Sequence, residues 1–323
     1  MLDLAASMTS TPILVDCKQH AEESVHEQTN LFGDLDRESG AGAVTLSITP
    51  LTSAIGAEIH GVDLRGPLSD EVVAAIRQAL MDHFVVFFRD QDITVEQHVA
   101  FGRRFGQLRV GSYAAKVAFE DFPELVSFQG GAGLTDRWHS DDIYREVPSL
   151  GRILHAVKLP AVGGDTCFAS MAHAYEALSP SMQRFLDGLT AVNDNVVINQ
   201  SMKKIRGGVQ VGVDEVGVTH PLVWVHPETG RKLLYATDRG TVRINELSED
   251  ESAAILRFLA EHVKSPLLQC RFRWERNSMA FWDNRAVQHF AVSDYTGERV
   301  MHSVTIVGEH RPAGPSRPEA ALA

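Results

Sequence analysis

Residues 137–144, RWHSDDIY, place His139 and Asp141 two positions apart, directly after Trp138. In an extended chain, residues i and i+2 point to the same side. An imidazole nitrogen and a carboxylate oxygen would then aim at one point, which is half of a metal site. A surface histidine beside a solvated acid has the same sequence, so a third ligand has to decide between the two. Fourteen histidines are available. His83 and His262 fall at helix ends, His220 and His226 flank prolines beside a hairpin, and His98 reads as the surface residue of a helix. His289 differs: it lies in the apolar strand of WDNRAVQHFAVSDY, with Arg299 ten residues further on. Two histidines and one carboxylate leave three coordination positions open, the set that suits non-haem Fe(II) oxygenases. A hydrolase activating water on a divalent metal could use the same three residues, as could a non-catalytic metal- or ligand-binding protein.

The elements that must position these residues are mostly strands. VTLSITPL and GAEIHGVDL alternate as strands, and FVVFFRD is a short buried one. LSDEVVAAIRQALMDH reads as an amphipathic helix capped by Ser69, and TVEQHVAFGRRFGQL opens with a Thr94/Gln97 capping box. LGRILHAVKLP and TCFAS are strands around a GGD turn. SPSMQRFLDGL is a helix with Ser179 as cap and Pro180 in its first turn. HPLVWVH and KLLYAT flank PETGR as a hairpin, and Ser248 and Glu251 box the helix that stops at Pro266. LLQCRFRW, SMAFWDN, AVQHFAV and RVMHSVTIVG are four closing strands. Residues 193–217 have no clean period, and a loop of that length in a compact domain is either functional, as a lid or binding loop, or disordered. Helices interrupt the strands rather than alternate with them. The fold class expected is therefore mainly β with flanking helices (α+β), an antiparallel jelly roll.

Composition excludes several function classes. The 323 residues are 44% hydrophobic and 22% charged, as in a soluble globular protein. The net charge is −12, and about half of it lies in residues 1–43, an acidic segment read as a flexible N-terminal extension before a domain spanning 44–311. Residues 312–323 read as a frayed tail. No basic stripe suggests nucleic acid, and no run approaches the roughly 18 apolar residues of a membrane span. Cys17, Cys167 and Cys270 are too scattered for a disulfide framework or a zinc ribbon. The expectation is a cytoplasmic enzyme for a small-molecule substrate, assembled as a homo-oligomer (dimer or tetramer).

Eight stretches occur together and in order: ITPLTSAIGAEIHGVDL, VVFFRDQDIT, RFGQL, WHSD, LPAVGGDT, HPETGRKLLY, WDNRAVQH and RVMHSVTI. Through them the chain resembles the taurine dioxygenase (TauD/TfdA) family of Fe(II)- and 2-oxoglutarate-dependent dioxygenases. The resemblance implies a double-stranded β-helix core and an iron triad of His139, Asp141 and His289. It also implies that Arg299 and Thr166 hold the distal carboxylate of 2-oxoglutarate, and that O2 is the oxidant. A planar bidentate arginine suits a carboxylate better than lysine does. The implied reaction is oxidation, by hydroxylation, of an unactivated C–H of a small to medium organic substrate, with release of succinate and CO2. Desaturation, or hydroxylation-triggered cleavage of an alkyl sulfate, aryloxy acid or natural-product intermediate, shares its first step.

The resemblance stops at the substrate. Where the taurine pattern carries a second arginine, RVMHSVT carries Ser303, and the companion polar groups are missing around Gly111, Ala114 and Thr135. Taurine is therefore not the expected substrate. The candidate pocket is Gly111, Tyr113, Thr135, Asn193 and Ser303, more apolar than the taurine type, with Lys203, Lys204 or Arg206 available as a replacement cation.

Overall fold

Alternating residues make the first two strands, β1 (Ser47–Pro50) and β2 (Ala57–His60), which pair antiparallel. The structure, a computed structural model, describes residues 46–110, 118–129, 137–196, 200 and 217–315. Ser69 caps α1 (Asp70–His83) by accepting from the Val72 amide, and Asp70 and Glu71 complement the positive end of its dipole. The helix returns the chain so that β3 (Val85–Phe88) lies parallel to β2. This pair departs from the antiparallel expectation, and its cause is α1 itself, a crossover of the kind parallel neighbours require. The Thr94/Gln97 box forms in full at the start of α2 (Val95–Arg103).

Strands β4 (Ala118–Phe119), β5 (Phe122–Gln129), β6 (Gly151–Lys158) and β7 (Thr166–Ser170) follow. Helices α3 (Met171–Glu176) and α4 (Pro180–Leu186) come next, the second with Ser179 as cap. Strands β8 (Thr190–Asn193) and β9 (Val218–Pro221) pair antiparallel. The expected hairpin is β10 (Val223–Val225) with β11 (Lys232–Leu234). After β12 (Thr241–Ile244), the Ser248/Glu251 box opens α5 (Glu249–His262). The four closing strands are β13 (Gln269–Phe272), β14 (Met279–Asp283), β15 (Val287–Ala291) and β16 (Val300–Ile306).

Among the described residues the large sheet runs β1-β2-β3-β14-β6-β16-β5-β4, and it faces a smaller sheet, β13-β7-β15. Residues of alternate parity on the large sheet enter different cores. Ile153, Phe281, Val304 and Ile306 pack outward against Ile76 and Leu80 of α1 and Val99 and Phe101 of α2. Ala156, Ala280, Trp282 and Met301 pack inward with Phe168 and Val287 of the smaller sheet. The site lies on this inner side, in a jelly roll whose strands pair segments remote in sequence.

His98 corrects the sequence reading. It is 1% exposed and shares a helix face with Phe101 and Gly102, at i+3 and i+4. Burial first, then the nearby His155 and His302, lower its pKa to about 3. The tail is docked at its start, where Ala313 accepts from the Val225 amide at 2.9 Å. The acidic extension, nearly all of the 193–217 loop with its lysines, and the last eight residues lie outside the described residues.

Candidate metal centre

His139 and His289 come from segments 150 residues apart, yet they face each other across a single antiparallel bridge. The His139 amide donates to the His289 carbonyl at 3.2 Å, and the His289 amide donates back at 2.8 Å. This bridge replaces the continuous strand expected around WHSD, because the chain turns immediately after Ser140. Asp141 is aimed by a different device. The Asn284 side chain accepts from the Asp141 amide at 2.8 Å and donates to the Asp141 carbonyl at 2.5 Å.

The result is a convergent set: one ligand atom from each of His139, Asp141 and His289 lies within 4.8 Å of the others. His139 Nε2 is 3.9 Å from Asp141 Oδ1, and His289 Nε2 is 3.7 Å from Asp141 Oδ2. His139 Nδ1 donates to the Arg137 carbonyl at 2.7 Å. That bond fixes the tautomer and leaves Nε2 with a lone pair directed at the centre.

Electrostatics keep all three residues in their ligating form. Burial lowers the pKa of His139 well below the usual value, and the neighbouring His289 and Arg239 lower it further. Burial likewise lowers that of His289 to about 4. Burial alone would raise the Asp141 carboxyl, but Arg152 and the two histidines outweigh it and hold it below the usual carboxylate range. Two neutral imidazoles and one carboxylate are the donors a divalent metal needs. The Asp141 Oδ2 atom and His289 Nδ1 are buried and make no hydrogen bond, and Arg152 Nη1 stands 3.2 Å from that oxygen. A metal would satisfy the carboxylate, so the residues fit one.

Arg299 lies against Gly164, two residues before Thr166. Thr166 opposes Ala291 and Phe168 opposes His289, so Thr166 lies on the same face as His289, two residues along the strand. That is about 7 Å of strand, the scale of a five-carbon diacid. Its hydroxyl oxygen accepts from the Trp274 indole at 2.9 Å, which leaves the O–H free to donate. Arg299 is the residue before β16, and its Nε is buried without a hydrogen-bond partner. Burial lowers its pKa, with Tyr295 and Asp165 opposing. Gly164, at φ +77°, makes room for it, since a Cβ there would stand 3.3 Å from Arg299 Cδ and Nε. A buried guanidinium lacking a partner for one N–H is the expected cradle of a carboxylate.

The substrate-pocket candidates divide. Gly111, Tyr113, Ala114 and Thr135 lie outside the described residues. Asn193 closes β8, where it accepts from Thr241 Oγ1 at 2.7 Å and donates to the Ala191 carbonyl, so its amide serves that sheet. Ser303 is buried on the inner face of β16, opposite Leu154. Sequence reasoning missed Asn284, although it stands inside the quoted WDNRAVQH stretch. A buried ionic network holds its turn: Arg285 donates to Asp283 and Glu228, and His226 Nε2 donates to Asp283 at 3.1 Å.

Fold and centre together define a class: a jelly roll that presents two histidines and one carboxylate to a divalent metal. Residues 47–305 match the family described as Taurine catabolism dioxygenase TauD, TfdA family, and the chain belongs to it. It is 34% identical to an alpha-ketoglutarate-dependent sulfate ester dioxygenase of Pseudomonas putida, covering 83% of this chain and 91% of that protein. It is 31% identical to an (S)-phenoxypropionate/alpha-ketoglutarate-dioxygenase of Sphingobium herbicidovorans, covering 81% and 95%. Among solved structures, a taurine dioxygenase from Burkholderia xenovorans superposes with TM-score 0.73 at 38% identity, covering 84% and 91%. The chain is accordingly a non-haem dioxygenase that uses Fe(II), 2-oxoglutarate and O2. Among the described residues no helix is long and apolar enough to cross a membrane.

Proposed function

We propose that this enzyme hydroxylates an unactivated C–H of a small to medium organic substrate other than taurine. The substrate, O2 and 2-oxoglutarate give the alcohol, succinate and CO2, with one oxygen atom entering each organic product. His139, Asp141 and His289 would hold the iron, which supplies oxygen activation when bound. Arg299 and Thr166 would hold the far carboxylate of 2-oxoglutarate and so orient its keto acid end toward the triad. The observation that carries this reading is Arg299, whose buried Nε lacks a partner and which lies against Gly164, two residues before Thr166, while a three-ligand set lies further along the strand face of Thr166. A hydrolase or a simple metal binder has no use for that second feature.

Ser303, small and buried where the family resemblance places an arginine, supports a substrate other than taurine. The relative named for sulfate esters favours one variant of the outcome. Hydroxylation of the carbon bearing a sulfate ester gives an unstable intermediate that collapses to an aldehyde and free sulfate. The same reading places the protein in the cytoplasm as a dimer or tetramer, and the free thiols of Cys167 and Cys270 support a reducing compartment. The deciding experiment measures succinate with and without oxygen across alkyl sulfates, aryloxy acids, organic acids and amino-acid-derived compounds. Oxygen-dependent succinate tied to consumption of one of these is expected. Turnover without oxygen, or none at all with iron and 2-oxoglutarate bound, would overturn the proposal.

A further inference from the structure

A charged residue stands on the inner face of the large sheet. Arg152 lies on β6 directly opposite Thr305 of β16 and Trp282 of β14, and it shares the inner face with Leu154 and Ser303. Its side chain is only 22% exposed. Nη1 is 3.2 Å from Asp141 Oδ2, and Nε donates to Thr305 Oγ1 at 3.3 Å. Among the described residues the other terminal nitrogen has no hydrogen-bond partner and no carboxylate other than that of Asp141 pairs with the guanidinium, which stands 5.8 Å from the centre of the Phe128 ring.

A bound metal shares the Asp141 carboxylate with Arg152, so Asp141 then compensates the guanidinium only in part. Fe(II) brings two positive charges, while Asp141 and the two carboxylates of 2-oxoglutarate bring three negative ones. Arg299 cancels the difference. Among the described residues the charge of Arg152 is then left over on the inner face of the sheet, and Arg239 adds to the positive field at all three ligands. An uncompensated guanidinium is costly in such a place, so an anion from outside is the natural partner. Ser303, diagonal to Arg152 on the adjacent strand, is small enough to leave room for it, and Leu154, Trp282 and Phe128 would line an apolar body.

We infer that Arg152 is the specificity-determining residue of the primary substrate site, and that it binds an oxyanion head (sulfate, sulfonate or carboxylate) on an otherwise apolar substrate. This rests on the oxygenase reading above and deepens it. It replaces the cation that the sequence sought in the 193–217 loop with one on a rigid strand.

The test uses the anaerobic Fe(II)/2-oxoglutarate complex and calorimetry with hexyl sulfate, hexane sulfonate, hexanoate and hexan-1-ol. At least one anion should bind wild type about tenfold or more tighter than the neutral alcohol, the order expected of a charge-assisted pair. Arg152→Gln should erase that preference in protein loaded with Fe(II) and 2-oxoglutarate, with both measured on the same sample, because Arg152 also lowers the Asp141 carboxyl. The double variant Arg152→Ser/Ser303→Arg should restore it from the neighbouring strand, a gain that misfolding cannot produce. The anion arms separate sulfate, sulfonate and carboxylate as the source. Three results would overturn the assignment: no anion preference in wild type, a preference that survives Arg152→Gln, or an iron-loaded double variant that shows none. Succinate is read on the same proteins with oxygen admitted. Anion binding that depends on Arg152 without any succinate would reject the oxygenase reading and keep the anion site.

Discussion

Asn284→Ala should weaken the metal centre without removing any ligand atom. The amide grips Asp141 by its backbone, accepting from the N–H at 2.8 Å and donating to the carbonyl at 2.5 Å, and it also donates to Ser149 Oγ at 3.1 Å. Each such bond contributes about 0.5–1.5 kcal/mol, and truncation also leaves the Asp141 peptide groups without partners, so a loss of roughly 2–3 kcal/mol is expected. The part that matters for function is orientation. A ligand whose support is removed typically loses about 10- to 100-fold in metal affinity. Ser149→Ala is the control, since it removes only the third bond and should lower stability by about 1 kcal/mol while leaving the metal alone. Equilibrium dialysis of Fe(II) under anaerobic conditions, alongside urea unfolding of the metal-free proteins, separates the two effects. An Asn284→Ala protein that unfolds more easily but binds Fe(II) as wild type does would refute the idea that this side chain aims Asp141.

Replacing His139, Asp141 or His289 by alanine should abolish Fe(II) retention with the fold preserved, checked by metal analysis and circular dichroism. Arg299→Lys should raise the 2-oxoglutarate requirement on the order of tenfold to a hundredfold, because a point charge replaces a planar fork whose loss costs about 1.5–3 kcal/mol; an unchanged titration would show that another residue holds that carboxylate. His98 makes a pH prediction. Its folded pKa of about 3 lies below the 6.5 of the free side chain, so the unfolded chain takes up the proton first and stability falls as pH drops below 6.5. From those two values the group removes about 2 kcal/mol by pH 5 and about 3 kcal/mol by pH 4, and its contribution levels off below pH 3. His98→Leu should flatten the urea-unfolding stability profile by those amounts, and parallel profiles would count against it.

How far the sequence reveals this molecule depends on how local each signal is. The caps at Ser69, Thr94 and Ser248 are readable because donor and acceptor lie within three residues of each other. The strands FVVFFRD and SMAFWDN are readable because burial on both faces leaves a continuous apolar run. The same two-sided burial hides Arg152. In GRILHAVK both faces pack, so alternation does not say which face meets the metal, and only the pairing with Thr305 and Trp282 decides it. His98 was legible in principle, since it keeps helical spacing with Phe101 and Gly102. Its residue type alone points instead to solvent. Strand β5, FPELVSFQ, is hard to read because Pro123 interrupts its pattern. The triad could be proposed from one H-x-D and a distant histidine, but Asn284 could not, because its partner is a peptide bond 143 residues away.

The reciprocal bridge between His139 and His289 has a consequence for how the chain holds together. A metal bound there ties two points 150 positions apart, and closing a loop of that length is entropically demanding for an open chain. The ion would act as a reversible crosslink across the middle of the protein, coupled to global unfolding. At a free concentration a hundred times its dissociation constant, such a ligand adds about 2.7 kcal/mol to the stability of the closed form. Iron supply would then govern how long the folded chain survives proteolysis as well as how fast it works.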